Sequence, residues 1–169
     1  MDHKNIFKKL QQNIGVFQYL LENLSSEEYN WSQGPDKWCL LEIVCHLHDE
    51  EIEDFRTRVQ CVLEDPNTPP PPIDPVGWVM ARNYKGQKYN KVIHDFIKER
   101  KKSIEWLNSL KNPKWDNTYN HPKLGPLSAY LFLTNWLAHD YLHIRQIIRL
   151  KFDYLHDKSG ISLDYAGNW

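Results

Sequence analysis

Apolar residues recur every three or four positions along four long stretches of the chain, which is the spacing of one face of a helix. The first stretch covers roughly residues 5–24, and the second runs from just after Trp38 to about Leu63. The third covers roughly residues 89–110 and the fourth roughly residues 127–152. The pattern therefore predicts four helices separated by polar segments.

The fourth stretch has apolar residues around nearly its whole circumference. A helix of this kind is usually central and buried, because none of its faces favours water. We therefore expect this helix to be enclosed by the others. Its apolar residues are Tyr130, Leu131, Leu133, Leu137, Tyr141, Leu142, Ile144, Ile147 and Ile148.

Prolines dominate the segment between the second and third helices, where Pro69–Pro72 follow Pro66 and precede Pro75. Proline fixes φ and lacks the backbone N–H, so neither a helix nor a central strand is expected to cross this segment. We interpret it as a stiff crossover and not a domain boundary, because the helices on either side could not make a core alone. Since the pattern shows no strand pairing, it predicts an all-α four-helix bundle formed by residues 1–169 as a single domain.

Composition narrows the class of protein. The 169 residues are 41% hydrophobic and 25% charged, as in ordinary globular domains. The formal net charge is −1 and no basic stripe is present, which argues against a nucleic-acid-binding surface. The sequence lacks both an apolar stretch of the roughly 20 residues that span a membrane and the apolar part of a signal peptide. The expected compartment is the cytoplasm.

The three cysteines, Cys39, Cys45 and Cys61, include no CxxC pair. An odd number of cysteines without that spacing argues against a disulfide framework and against a thiolate zinc site. We expect buried or half-buried thiols.

Two histidines of the fourth helix, His139 and His143, are four residues apart and therefore share one face. Two imidazoles placed in this way can bind one metal ion at about 2.0–2.1 Å each. Two core histidines held by hydrogen bonds would give the same spacing. A metal site also needs at least one further ligand.

The second helix offers His46 or His48 as that third ligand. Helical periodicity slightly favours His48, which lies nearer the apolar stripe that contains Leu47 and Phe55. His46 lies on the side of the helix that carries glutamates. The pattern alone leaves the choice open.

Three segments of the chain carry distinctive motifs. In WCLLEIVCHL at residues 38–47 a histidine follows a tryptophan by eight residues. The other two are HPKLGPL at residues 121–127 and WLAHDYLHIRQI at residues 136–147. In this order they resemble the start of the second helix, the stretch that leads into the last helix and the HDxxHxxQI signature of that helix in the DinB/YfiT-like family. The likeness covers nearly the whole chain and keeps the order of its segments.

The resemblance implies a four-helix bundle with a long crossover, often dimeric, and a divalent metal ion such as Zn, Ni or Fe. It places the ligands on His46, His139 and His143, and so selects His46 over His48. It also implies a thiol-dependent transferase or a metal-dependent hydrolase that acts on a small molecule, with a low-molecular-weight thiol as one class of partner. A homodimer is expected, and no catalytic residue can be assigned. The alternative is a non-catalytic, metal-stabilised bundle or a small-ligand binding protein.

Further side chains near these motifs are candidates for supporting roles. Asp140 and Gln146 are candidate acceptors for the second N–H of a metal-bound imidazole, whereas Asp49 and Glu50 are expected on a solvated face. Cys39 occupies the helix N-cap position where many members of the family have Ser or Thr, and a thiol caps poorly. Some aromatic residues could line a pocket or a dimer face, or could pack the ends of the bundle. They are Trp78, Tyr84, Trp115, Tyr119 and Trp169.

Overall fold

A computed structural model describes residues 1–167 of the chain, and its architecture is a bundle of helices. The four-helix bundle is confirmed: α1 packs against α6 and α7, α3 packs against α6, and α4 packs against α7. A π-helical segment joins α3 to α4, so these two form one continuous rod. The four rods of the bundle are, in chain order, α1, α3 with α4, α6 and α7. The helices are α1 His3–Leu21, α2 Ser26–Asn30, α3 Leu40–Glu50, α4 Thr57–Glu64, α5 Pro75–Ala81, α6 Tyr89–Ser109 and α7 Ala129–Ser159, with the π-helical segment at Glu51–Arg56.

The ends of the rods follow local capping chemistry. Glu42 accepts a hydrogen bond from the backbone N–H of Cys39 at 3.0 Å, so a carboxylate supports the start of α3. The Ser128 hydroxyl accepts from the N–H of Leu131 at 3.0 Å and fixes the start of α7. α7 ends at Ser159 and is capped by Gly160, whose φ of 65° is the left-handed conformation that glycine adopts readily. The helix is longer than predicted, since its expected end was near residue 152.

A small β-hairpin precedes α7, and the prediction that no strands pair is wrong. Strands β1 (Thr118–His121) and β2 (Gly125–Ser128) are antiparallel, with Thr118 opposite Ser128. The turn is closed by His121, whose Nδ1 accepts the N–H groups of Lys123 and Leu124 at 3.1 Å. Four-residue strands are too short to show an alternating pattern, which explains why periodicity missed them.

One face of α7 is open, so the expectation of a fully enclosed helix is also wrong. Tyr141 and Leu142 are 47% and 53% exposed, while Trp136 and Ile147 on the opposite side are buried. The exposed apolar residues of α7 are Leu131, Tyr141, Leu142, Ile148 and Leu155.

The buried apolar side chains form two clusters, one toward each end of the bundle. Phe17, Phe96 and Ile147 belong to the first cluster, and Leu10 and Leu133 belong to the second. Each of the four rods contributes polar side chains where its residues of the first cluster give way to those of the second. This polar layer consists of the buried residues Asn13, His46, Glu50, Glu51, Asp54, Arg100, Ser103, Asp140 and His143, together with the half-buried His139.

Two other properties bear on the predictions. Cys39 and Cys45 are buried free thiols and Cys61 is a half-buried one, as expected. Within residues 1–167, none of the helices combines the length and the hydropathy needed to cross a bilayer. The cytoplasmic location stays a prediction.

Candidate metal centre

Three histidines meet within the polar layer. His46 comes from α3, and His139 and His143 come from α7. His139 Nε2 lies 3.3 Å from His46 Nε2 and 3.0 Å from His143 Nε2. One nitrogen of each ring lies within 4.8 Å of the other two, so the three can face a common point. His48 points elsewhere, because its Nδ1 lies 3.1 Å from Asp49 Oδ1 and its side chain is 27% exposed.

Burial keeps these imidazoles neutral. It lowers the pKa of His46 to about 4, with a further contribution from the neighbouring His143. The pKa of His139 falls to about 2, mainly through burial and then through the two other rings. Burial also lowers the pKa of His143. At neutral pH each ring therefore has one nitrogen lone pair available to a ligand.

The orientation of His143 is set by Gln146, one of the candidates identified in the sequence. The Nδ1 of His143 lies 2.8 Å from Oε1 of Gln146. Because an amide oxygen only accepts, Nδ1 carries the proton and the lone pair lies on Nε2, which faces the other histidines. His46 lacks such support, since its buried Nδ1 has no hydrogen-bond partner among the described residues.

Asp140 lies on α7 beside His139, but its carboxylate is committed to another contact. Arg100 of α6 donates to both Asp140 oxygens at 2.7 Å and to Glu51 Oε2 at 2.9 Å. Asn13 donates to Asp140 at 2.8 Å, and Trp136 Nε1 donates to Glu51 at 2.9 Å. We call Arg100, Asp140, Glu51, Asn13 and Trp136 the arginine cluster. It ties α1, α6 and the second rod to α7, and so fixes the helix that carries two of the histidines.

Glu50 is buried beside the histidines, and the prediction of a solvated face is wrong for it. Its side chain is 5% exposed, and Oε2 lies 3.3 Å from His139 Nε2. Burial, together with the charge of Asp54, raises the pKa of Glu50 to about 7. The sequence signal for this position is its i+4 spacing from His46, which places both residues on one helical face.

Asp49 lies in a different environment from its neighbour Glu50. The Tyr84 hydroxyl donates to Asp49 Oδ2 at 2.7 Å, and Arg82 forms an ion pair with the same oxygen at 2.9 Å. Asp49 is therefore part of a half-buried polar cluster that does not include the three histidines.

A cavity of about 670 Å³ opens beside His143. Trp38 forms part of its wall, and the Trp38 ring centroid lies 5.0 Å from that of His46. The other walls include Ile43, Leu142, Lys37, Arg145 and Gln146.

The aromatic residues that the sequence offered for a pocket pack elsewhere. Tyr84 and Trp78 pack in or against the first apolar cluster, and Trp115 and Tyr119 pack against the second. Trp169 lies outside the described residues. The four described ones thus contribute to the packing of the bundle, and Tyr84 also lines a separate cavity of about 280 Å³. A role in a dimer face stays a prediction.

Together these observations define a four-helix bundle with three converging histidines in its central polar layer. The chain belongs to the DinB superfamily, whose family model matches residues 9–147 and so includes all three histidines. The resemblance seen in the sequence is confirmed.

The fold is similar to that of YfiT from Bacillus subtilis, at 16% sequence identity and a TM-score of 0.77. The match covers 95% of this chain and 89% of that one. YfiT is described as a probable metal-dependent hydrolase with an unusual four-helix bundle topology. At this identity the likeness establishes the fold. A search of curated proteins finds no match.

Proposed function

We propose that the protein binds one divalent metal ion through Nε2 of His46, His139 and His143, and uses it in chemistry on a small molecule. The convergence of the three ring nitrogens carries this proposal. Two nitrogens bound at about 2.1 Å to one ion are about 3.0 Å apart at a right angle and about 3.4 Å apart at a tetrahedral angle. The separations of 3.0 and 3.3 Å fall in that range.

Hydrogen bonding among the rings offers a poorer solution. The Nε2 of His143 is an acceptor, because its Nδ1 holds the proton that Gln146 accepts. His139 Nε2 faces nitrogens on two sides and can donate to only one of them. A shared cation accepts all three lone pairs, which offsets the cost of burying them.

Three neutral protein ligands leave coordination positions open, as in catalytic sites. A bound ion supplies a Lewis acid that activates water in a hydrolase or holds a thiolate in a thiol-dependent transferase. The chain's own residues orient the site. Gln146 holds the His143 ring, and the arginine cluster holds α7 in register.

The cavity beside His143 supports a small-molecule substrate, and its charge favours an anionic one. No acidic residue lines it, whereas Lys37 and Arg145 form no ion pair within residues 1–167. Trp38 and Leu142 offer an apolar wall next to these cations. Low-molecular-weight thiols that carry a carboxylate fit this description.

Arg145→Gln tests the anionic preference in protein loaded with Co(II). Binding of 3-mercaptopropionate and of its neutral alcohol analogue is followed through thiolate-to-metal absorption. We expect the acid to bind about 2–5-fold more tightly in the wild type, as a partly exposed ion pair allows, and this preference to disappear in the variant. Equal binding of both thiols by the wild type would contradict an anionic substrate.

A non-catalytic, metal-stabilised bundle remains the second candidate, because the histidines link α3 to α7 in the middle of the core. An assay panel of esters and thiol acceptors on loaded protein separates the two. Stabilisation by the metal without turnover on any of them would favour the structural role.

We also propose a homodimer that forms through the open face of α7. Tyr141, Ile148 and Leu155 are exposed and lie seven residues apart, as in a helix-pairing seam. Light scattering should give twice the chain mass for the wild type and a monomer for Ile148→Glu. A monomeric wild type at micromolar concentration would exclude this interface.

Metal analysis tests the central proposal. Protein dialysed against Zn(II), Ni(II) or Fe(II) should retain one ion per chain, and His143→Ala should lose it while keeping its helical circular dichroism. A wild-type protein that retains none of these ions would overturn the proposed function.

A further inference from the structure

A buried carboxylate lies at the edge of the three-histidine cluster. We propose that Glu50 is a fourth protein ligand, whose carboxylate binds the same ion as His46, His139 and His143. This inference rests on the proposed metal centre and adds an anionic oxygen donor to it.

The distances support a shared ion. Glu50 Oε2 lies 3.3 Å from His139 Nε2, which equals the separation of the His46 and His139 nitrogens. Two donors of one ion are separated by about this distance when each lies about 2.1 Å from the metal. Glu50 Oε1 points toward the ring of His46, 4.0 Å from its Nδ1. His46 and Glu50 are one helical turn apart, so α3 presents both to the same point.

Within residues 1–167, neither a lysine nor an arginine forms an ion pair with this carboxylate, whose two ionic contacts are both with histidines, His46 and His139. The nearby guanidinium of Arg58 is hydrogen-bonded to Asp54. Leaving a carboxylate 5% exposed without a cation is costly, and a metal ion removes that cost.

Charge balance supports the same assignment. Three neutral imidazoles would leave the full double charge of the ion in the core of the bundle. Glu51 and Asp140 are already engaged by Arg100. Glu50 is the carboxylate that can face the ion directly, and it lowers the net charge of the centre to +1.

A fourth ligand changes what the centre can do. A tetrahedral ion with four protein ligands has no place for substrate, as in structural zinc sites. An ion that takes five or six ligands keeps one or two places for water or a thiolate. Catalysis at this centre therefore requires an expanded coordination shell, and mixed imidazole and carboxylate donors suit Fe(II) and Ni(II) as well as Zn(II).

Co(II) affinity and spectra test the role of Glu50. Glu50→Gln removes the charged donor at nearly constant shape. Glu53→Gln is the matched control, because Glu53 lies three residues further along the same rod with a side chain that is 45% exposed and paired with Arg82. We expect Glu50→Gln to weaken Co(II) binding about 10–100-fold in competition with a chelator, and to alter the visible absorption bands of the ion. The control should match the wild type in both measurements.

The outcomes separate the two proposals. Retained affinity, within about twofold, and an unchanged Co(II) spectrum in Glu50→Gln would overturn the role of Glu50 and leave the three-histidine centre intact. A wild-type protein that binds no Co(II) would instead overturn the centre itself. A crystal structure of the Co(II)-loaded wild type needs no variant. A Glu50 oxygen about 2.0–2.2 Å from the ion supports the inference, and a carboxylate turned away from the ion contradicts it.

Discussion

Two groups of buried ionisable side chains lie side by side in the polar layer, and they differ in how their polar atoms are satisfied. In the arginine cluster, the guanidinium of Arg100 donates hydrogen bonds to two carboxylates, those of Asp140 and Glu51. In the histidine cluster, three ring nitrogens and the Glu50 carboxylate face one another, and no lysine or arginine of residues 1–167 forms an ion pair with that carboxylate. Neighbouring residues in sequence, Glu50 and Glu51, thus belong to opposite kinds of site.

The difference indicates separate roles for the two clusters. A satisfied buried network holds elements in place, whereas converging acceptors without a donor mark a place for a ligand. The arginine cluster is close to the first kind, since within residues 1–167 Glu51 Oε1 is its one fully buried side-chain atom without a hydrogen-bond partner. We therefore expect mutations in it to affect folding, and mutations in the histidine cluster to affect metal binding.

Loss of Arg100 should give the largest effect on stability. Arg100→Met would leave the buried carboxylates of Asp140 and Glu51 facing each other without their cation. Breaking a buried ion pair from one side costs about 3–5 kcal/mol, a large part of the stability of a domain. Urea unfolding followed by circular dichroism measures this loss.

Lys102→Met is the control for that experiment, because Lys102 pairs with Glu99 at the surface and its side chain is 53% exposed. It should change the free energy of unfolding by less than about 1 kcal/mol. If Arg100→Met is as stable as the control, the arginine cluster does not hold the bundle together.

Metal binding should give the next largest effect on stability, and His46 and His48 of α3 provide a matched pair of variants. A ligand at 100 times its Kd stabilises the folded state by about 2.7 kcal/mol. In a domain of this size that corresponds to a rise in Tm of roughly 5–10 °C.

Zn(II) should produce this rise in the wild type and in His48→Ala, and a chelator should reverse it. His46→Ala should show no rise. A rise that depends on His48 and not on His46 would reverse the assignment of the ligand on α3.

The choice between His46 and His48 also shows what periodicity could and could not predict. The stripe that favoured His48 included Phe55, which lies inside the π-helical turn at Glu51–Arg56. A π-turn adds a residue to the helical cycle and shifts the phase of every later position. Phe55 therefore does not extend the apolar stripe of Leu47. The periodicity argument for His48 treated residues on the two sides of this phase shift as one regular helix. The family motif selects His46, which the structure places beside His139 and His143, because the motif counts residues from Trp38 and does not assume a regular helix.

Long apolar repeats predicted the four rods and their order, because a helix face repeats many times within each rod. Features that depend on a few residues or on the partner surface could not be predicted in this way. The four-residue strands of the hairpin carry too little pattern. The open face of α7 carries large apolar residues such as Tyr141 and Leu142, so periodicity did not separate it from the buried face. The burial of Glu50 is a third case, since a glutamate in a helix usually indicates solvent.

The smallest expected effect is a difference between His46 and Glu50 in how each makes the free energy of unfolding depend on pH. It is measured on metal-free protein. Folding lowers the pKa of His46 to about 4 from 6.5, so the unfolded chain binds its proton first as the pH falls. The stability that neutral His46 contributes is therefore present above pH 6.5 and decreases as the pH falls toward 4. Glu50 has the opposite sign: its pKa rises to about 7 from 4.5, so the folded state takes up its proton first and gains stability as the pH falls through 7.

Variants at these two positions should change the slope of the free energy of unfolding against pH in opposite directions. Between pH 7 and 5, Glu50→Gln removes the compensating gain, so the loss of stability on acidification should be steeper than in the wild type. His46→Ala removes one proton acceptor of the unfolded chain, so the loss should be shallower. Each change is on the order of 1 kcal/mol per pH unit, because one proton corresponds to about 1.4 kcal/mol. Urea unfolding at half-unit pH steps measures both slopes, with the exposed His94→Ala as control. Parallel curves for all four proteins would mean that the buried histidines and Glu50 do not experience the environment described here.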